Sequence, residues 1–306
     1  MIRAATASLA VLAAGCTVVP AADQPQAVAA EQGAPTPALS AAPTPAPASV
    51  PAALPPATFA FSGELTQGGW IRGVAPAGTV SLMLDDAPVP MAADGSFLAA
   101  FDRDAGRSAT LVATRSDGTT ARQTLTVSPR DWNIEHINAA RRAGGASESF
   151  MQRRRPELER IYAARAMKTD AAGWRQDFIW PVKGRISGRF GSQRIYRGEP
   201  GSYHTGIDIA PGAGTPYVAP ADGVVVLAAS DFSLEGNLLI IDHGNGLNSA
   251  FLHSQSLDVK QGDHVKQGQQ LGLIGSSGRA TGPHLHWSLM WGTSRLDPLL
   301  FTGPQG

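Results

Sequence analysis

The chain has 306 residues, enough for two ordinary domains at roughly 150 residues each, and 43% of them are hydrophobic, which suffices for a buried core. Its 25 basic residues balance its 25 acidic ones, so no excess of positive charge points to a nucleic-acid partner. A single cysteine, Cys16, excludes an intrachain disulfide, a cysteine-rich zinc site and a cysteine protease.

Met1-Ile2-Arg3 supplies a short positive start, and the small apolar run 4–14 is too short to span a bilayer as a mature helix. It ends in Leu12-Ala13-Ala14-Gly15-Cys16, which resembles a bacterial lipoprotein signal over residues 1–16, cut before a cysteine that then carries lipid. Ala13 stands where a larger aliphatic residue is usual, and the other reading is an ordinary secretory signal; either way the protein is exported. Thr17, rather than Asp, follows the cysteine. By the same resemblance this points to the periplasm of a diderm cell and to its outer membrane. Residues 17–57, rich in Ala, Pro, Gln and Thr, show no periodic apolar face and read as a disordered tether. At about 3.1 Å per residue it can reach on the order of 100 Å.

Residues 58–129 alternate in short runs (Thr58-Phe59-Ala60-Phe61, Thr79-Val80-Ser81-Leu82-Met83-Leu84, Thr124-Leu125-Thr126-Val127), with hairpin turns at Asp94-Gly95 and Asp117-Gly118. They predict a small β-sandwich that resembles an immunoglobulin-like module and serves as a spacer or binding module. A helical joint is expected over 130–178, with Pro156 in the first turn of a helix and Leu158, Ile161, Tyr162 and Ala166 as its apolar stripe. Arg153-Arg154-Arg155 before it reads as a solvated approach rather than a contact for anionic wall or lipid groups. Residues 179–306 turn β-rich, with strands at 224–227, 237–241, 247–252 and 284–290 between Gly-rich turns, and no long helix among them. The chain is therefore expected to be all-β, with an antiparallel sheet at its C-terminal end.

Six of the seven histidines lie between His204 and His286. In His204-Thr205-Gly206-Ile207-Asp208 a straight strand would hold His204 and Asp208 about 13 Å apart, so sharing a metal ion requires a bend, for which Gly206 gives freedom. In His284-Leu285-His286 the two imidazoles share one face of a strand, a pattern that also suits two packed histidines. His253 lies at the end of its strand, in Phe251-Leu252-His253-Ser254. Each signal alone is weak.

In this order, and with the surrounding Gly188-Arg189-Phe190-Gly191, Ala219-Pro220-Ala221-Asp222-Gly223, Gly262-Asp263-His264-Val265-Lys266-Gln267-Gly268-Gln269 and Gly278-Arg279-Ala280-Thr281-Gly282-Pro283, these motifs resemble the M23 (lysostaphin/LytM-type) zinc metallopeptidases over residues 179–301. The resemblance implies one Zn2+ per chain held by His204, Asp208 and His286, with His253 and His284 as non-ligand catalytic histidines. It further implies cleavage of the peptide stems of peptidoglycan. Phe251 replaces the family's usual Tyr and Ser254 its usual Leu; neither change removes a required group. Two neutral histidines and one aspartate around zinc give net charge +1 and an open position. His243, in what reads as a turn, His264, in a polar hairpin, and His136, outside the domain, are assigned no catalytic role. The diderm-like signal favours D-Ala-to-diaminopimelate cross-links over glycine bridges. The alternative within the family is a non-catalytic or autoinhibited activator of wall amidases, with a wall enzyme as partner. A lipoyl-type carrier reading of residues 262–268 leaves His204, Asp208 and His286 unexplained, and Gly275-Ser276-Ser277-Gly278 does not fit a serine hydrolase.

Overall fold

The computed structural model describes residues 55, 57–140 and 147–305. The signal and almost all of the tether expected over 1–57 lie outside them. Alternation dictates the first strands: in β6 the side chains of Ala109, Leu111, Ala113 and Arg115 point inward and their neighbours outward. Strands β1 (Ala60–Gly63), β2 (Trp70–Val74), β3 (Thr79–Leu84), β4 (Ala87–Pro88), β5 (Ser96–Ala100), β6 (Ser108–Arg115) and β7 (Thr120–Thr126) form two antiparallel sheets, ordered β1-β2-β5 and β4-β3-β6-β7. Ile71, Phe97 and Leu98 from the first and Leu82, Leu111 and Leu125 from the second enter one apolar cluster. Gly95 and Gly118 both take positive φ at the two expected hairpin turns.

The joint departs from expectation. Ile134–Ile137 is not helical but a strand, β8, in parallel register with β10 (Gln193–Tyr196), which also pairs with β11 (Glu199–Pro200). Helix α1 (Glu148–Ala166) starts only at Ser147, whose hydroxyl accepts the Phe150 N–H at 3.2 Å. Pro156 consequently lies inside the helix rather than in its first turn, because the cap that sets the start stands well upstream. The buried stripe is also rotated: Arg154, Ile161 and Ala164 are buried, while Tyr162 is 64% exposed. Arg154 is not solvated, because Glu157 (2.9 Å) and Glu235 (2.6 Å) neutralise it. Among the described residues no helix is long and apolar enough to cross a membrane.

Most of the C-terminal strands join one antiparallel sheet: β9 (Arg185–Gly188), β12 (Ile207–Ala210), β13 (Pro216–Val218), β14 (Gly223–Phe232), β15 (Gly236–Gly244), β16 (Leu247–Leu257), β17 (His264–Val265), β18 (Gln270–Ile274), β19 (Leu285–Trp291) and β20 (Ser294–Leu296). Its central path runs β17-β14-β15-β16-β19-β12-β9. One face carries Ile207, Ile209, Phe251, Leu285 and Trp287 into the same cluster as the N-terminal sheets. On the other face Leu238, Ile240 and Ala250 pack against Ile161 and Ala164 of α1. Burial of Ile161 is worth about 1.5–3 kcal/mol, and it seats the helix on the sheet face that carries the histidines.

The N-terminal sheets are bonded to this sheet as well. Arg130 pairs with Asp297 at 2.7 Å, Trp70 Nε1 donates to the Leu300 carbonyl at 2.9 Å, and Arg103 donates to the Gly191 carbonyl at 3.0 Å. The short helix α2 (Leu299–Thr302) places Phe301 against Trp70 and Phe178.

Candidate metal centre

Sheet register assembles the centre. Asp208 on β12 is paired with His286 on β19, which is in turn opposite Leu252 on β16, so Asp208 and His286 project from adjacent strands on one face. His204 stands just before β12 and turns back over them. His204 Nε2, Asp208 Oδ1 and His286 Nδ1 lie 3.0, 3.1 and 2.9 Å apart pairwise. Donors about 2.0–2.1 Å from a tetrahedral zinc sit roughly 3.3 Å from one another, so this N2O set would accommodate such an ion if the donors spread by a few tenths of an ångström. All three donor atoms lie within 4.8 Å of one another, and among the described residues no other such His/Cys/Asp/Glu group occurs.

Close approach rather than a flexible turn explains two glycines. Gly206 does not take positive φ; a methyl group there would meet the Trp287 carbonyl oxygen and come within 2.9 Å of His286 Nε2. Gly188, on β9 beside Asp208, leaves space that a Cβ would take from the Asp208 carboxylate, and that Cβ would lie 3.1 Å from the His204 ring.

His253 reaches the centre by a distortion. Between the pairs Asn237–Ser254 and Leu239–Phe251, the single residue Leu238 faces both Leu252 and His253. This is a bulge within β16, not the strand end expected from the sequence, since the strand continues to Leu257. Alternation would send His253 to the core face with Phe251. Its φ of +67° instead turns the ring to within 4.9 Å of His284 and 6.4 Å of His286 (centroid distances). His284, immediately before β19, has its Nε2 3.7 Å from Asp208 Oδ1, and Leu285 between it and His286 is fully buried.

Three of the four histidine rings are oriented by main-chain carbonyls, which only accept. His204 Nδ1 donates to Arg189 O (3.1 Å), His253 Nδ1 to Ser277 O (2.8 Å) and His284 Nδ1 to Gly282 O (2.8 Å). Each Nε2 is thereby left with its lone pair free when the ring is neutral. Burial alone would raise the Asp208 pKa, but hydrogen bonds and charge from His204 and His286 outweigh it and hold the carboxyl well below the usual range. Burial lowers His286 and His253, so both favour the neutral ring; at His204 burial is outweighed by the Asp208 hydrogen bond, which raises it.

All five residues singled out in the sequence thus share one cluster. His243 is away from it and is not in a turn: it is fully buried in β15, with Nδ1 donating to Asp222 O (2.8 Å) and Nε2 accepting from the Ser249 hydroxyl (2.7 Å). His264 is exposed on β17, and His136 lies on β8 opposite Ile195 of β10. Sequence reasoning missed the pairing of Arg154 with Glu235, whose main-chain carbonyl accepts the His253 N–H. The two are 81 positions apart, and nothing local couples an arginine run to a turn glutamate.

Comparison with known proteins places these observations. The sequence model of peptidase family M23 matches residues 202–298. Peptidoglycan DD-endopeptidase ShyA of Vibrio cholerae is 41% identical over 117 residues, 36% of this chain and 26% of ShyA. A lipoprotein NlpD/LppB homolog of Pseudomonas aeruginosa is 36% identical over 129 residues, 42% of this chain and 39% of that protein. The matched stretch thus spans well under half the length of these relatives. A crystal structure named for peptidase M23 from Pseudomonas aeruginosa superposes with a TM-score of 0.61 at 27% identity, covering 78% of this chain and 96% of that one. That likeness extends beyond residues 202–298 and so includes much of the N-terminal half. With the His204–Asp208–His286 cluster inside the matched stretch, the chain carries a peptidase family M23 domain.

Proposed function

We propose that the protein is an exported zinc-dependent endopeptidase that hydrolyses the peptide cross-links of bacterial peptidoglycan. The observation that carries this reading is the convergence of three potential donors, His204, Asp208 and His286, with two oriented non-ligand histidines beside them. Zinc held by those three residues supplies Lewis acidity, which makes water nucleophilic near neutral pH and polarises a carbonyl. The chain's own part is protonic. The rings of His253 and His284 lie 4.9 Å apart beside the donor set with Nδ1 engaged, which leaves Nε2 for proton transfer; between them they would accept the proton that attacking water releases and return one to the departing amine. The low pKa of Asp208 and the neutral ring favoured at His286 suit these two donors to a cation, whereas at His204, whose pKa is raised, the cation takes the place of a proton.

The name of the Vibrio cholerae relative supports a peptidoglycan substrate, and that of the Pseudomonas aeruginosa relative supports a lipoprotein. With the signal-like residues 1–16, they support attachment through lipid on Cys16 at the outer membrane, facing the periplasm. The bond favoured is the D-Ala-to-diaminopimelate cross-link. The test is mass spectrometry of fragments released from isolated peptidoglycan by the full chain, with and without a zinc chelator, and by the His204→Ala variant. Release of cut cross-links that needs both zinc and His204 upholds the reading and identifies the bond. Zinc-loaded, folded protein that releases nothing overturns it in favour of an amidase activator.

A further inference from the structure

The sheet face that carries His286 continues into a cleft of about 430 Å³ under α1. Thr205 and His286 line the cleft where it meets the metal centre; Arg154 and Arg165 of α1, Glu235 and Arg295 of β20 line it elsewhere. Three guanidinium groups thus face one carboxylate, and that carboxylate is already engaged, because Arg154 Nη1 and Nη2 each lie 2.6 Å from a Glu235 oxygen. Arg165 has no such partner. Its Nη1 abuts the Met290 sulfur, a weak acceptor, and its buried Nε has no acceptor at all. Burial, with the nearby charge of Arg295, pushes the Arg165 guanidinium down to about 10. Among the described residues the side chain of Arg295 makes no hydrogen bond or ion pair.

A partly buried guanidinium whose buried Nε lacks an acceptor, set beside a second cation, is costly to hold. The cost is relieved by an anion whose oxygens match guanidinium geometry, and a carboxylate does so. The geometry points to a substrate subsite in which Arg165 and Arg295 bind a free carboxylate of the peptide whose scissile bond lies at the His204–Asp208–His286 centre. This inference rests on the peptidase reading and adds a specificity determinant to it: cross-links flanked by a free carboxylate are preferred over the same cross-links amidated.

The test uses two synthetic cross-linked peptides that differ only in a free or amidated carboxyl group beside the scissile bond, with the zinc-loaded full chain. The free-carboxylate peptide is expected to show a kcat/KM at least about tenfold higher, as a charge-assisted contact implies, expressed mostly in KM. Arg295→Gln should bring the ratio close to one. Because the Arg295 side chain makes no hydrogen bond or ion pair in the fold, this variant keeps the test open if Arg165→Gln fails to fold. A wild-type ratio near one, or an unchanged ratio in Arg295→Gln, overturns the subsite. If neither peptide is cut, the peptidase reading fails, and calorimetric titration of the same two peptides decides the subsite. Tighter binding of the free carboxylate that Arg295→Gln abolishes upholds it, and equal affinities overturn it.

Discussion

Arg154 on α1 grips Glu235 with both terminal guanidinium nitrogens, and the main-chain carbonyl of that same Glu235 accepts the His253 N–H at 2.9 Å. The helix is thereby tied to the bulge that aims a catalytic candidate. Arg154→Met leaves a largely buried carboxylate facing only the cleft and should cost about 3–5 kcal/mol, measured by urea unfolding. Combined with Glu235→Gln the loss should shrink, since only Glu157, which Ser233 also binds, then lacks its guanidinium partner. If the link positions His253, kcat falls in Arg154→Met more than KM rises. A defect confined to KM would assign the pair to substrate binding alone.

Replacing any of His204, Asp208 or His286 by Ala should abolish stoichiometric zinc binding, read by metal analysis of the purified protein after dialysis. Gly188→Ala tests the same centre without touching a ligand. Its methyl group competes with the Asp208 carboxylate for space, so metal affinity should fall by roughly the 10–100-fold seen when groups supporting a ligand are lost. Unchanged affinity would mean that β9 moves aside.

His253→Ala and His284→Ala should retain zinc yet lose on the order of 10²–10⁴-fold in kcat, the usual contribution of a proton-transfer group. The diagnostic comparison is metal content against turnover in the same preparation. Loss of both together would show that these rings act as ligands.

His243 gives a pH prediction outside the centre. Burial pushes it down to about 4 in the folded chain, against about 6.5 when unfolded. Between these values the unfolded chain binds a proton that the folded chain does not, so stability is complete above about pH 6.5 and falls as pH drops to about 4. The slope is about 1.4 kcal/mol per pH unit and the total about 3 kcal/mol. His243→Asn should lower stability at neutral pH while flattening that slope in unfolding curves taken from pH 7 to 4.

The strands were legible wherever alternation and turn glycines act locally, as at Thr79–Leu84 and the Asp94-Gly95 and Asp117-Gly118 hairpins. The cluster is legible because His284 and His286 stand two apart around the start of β19, although only His286 lies on the strand, and because His204 and Asp208 lie in one short motif. The bend between the latter was misattributed to the freedom of Gly206, whose role is the close approach of β19. Strand β8 was read as helix because its partner, β10, is distant in sequence and only pairing makes it extended. The bulge at His253 was invisible for the same reason: a residue count against β15 has no signature in β16 itself. Arg154 looked solvated because its counter-charges arrive from a helix turn and a remote loop.

The carbonyls of Arg189, Ser277 and Gly282, which orient three histidine rings, have a genetic consequence. A side-chain orienter disappears with one missense change, whereas a peptide oxygen survives every substitution at its position that preserves the backbone path. Point mutation is therefore buffered at 189 and 282, and less so at Ser277, whose hydroxyl also bonds Asn237 N and the Ser254 carbonyl. The changes that disorient the rings are those that reroute the chain, namely insertions, deletions or a proline placed in the loops at 189, 277 and 282. Natural drift in this part of the protein should accumulate as exchanges of residue type at constant loop length.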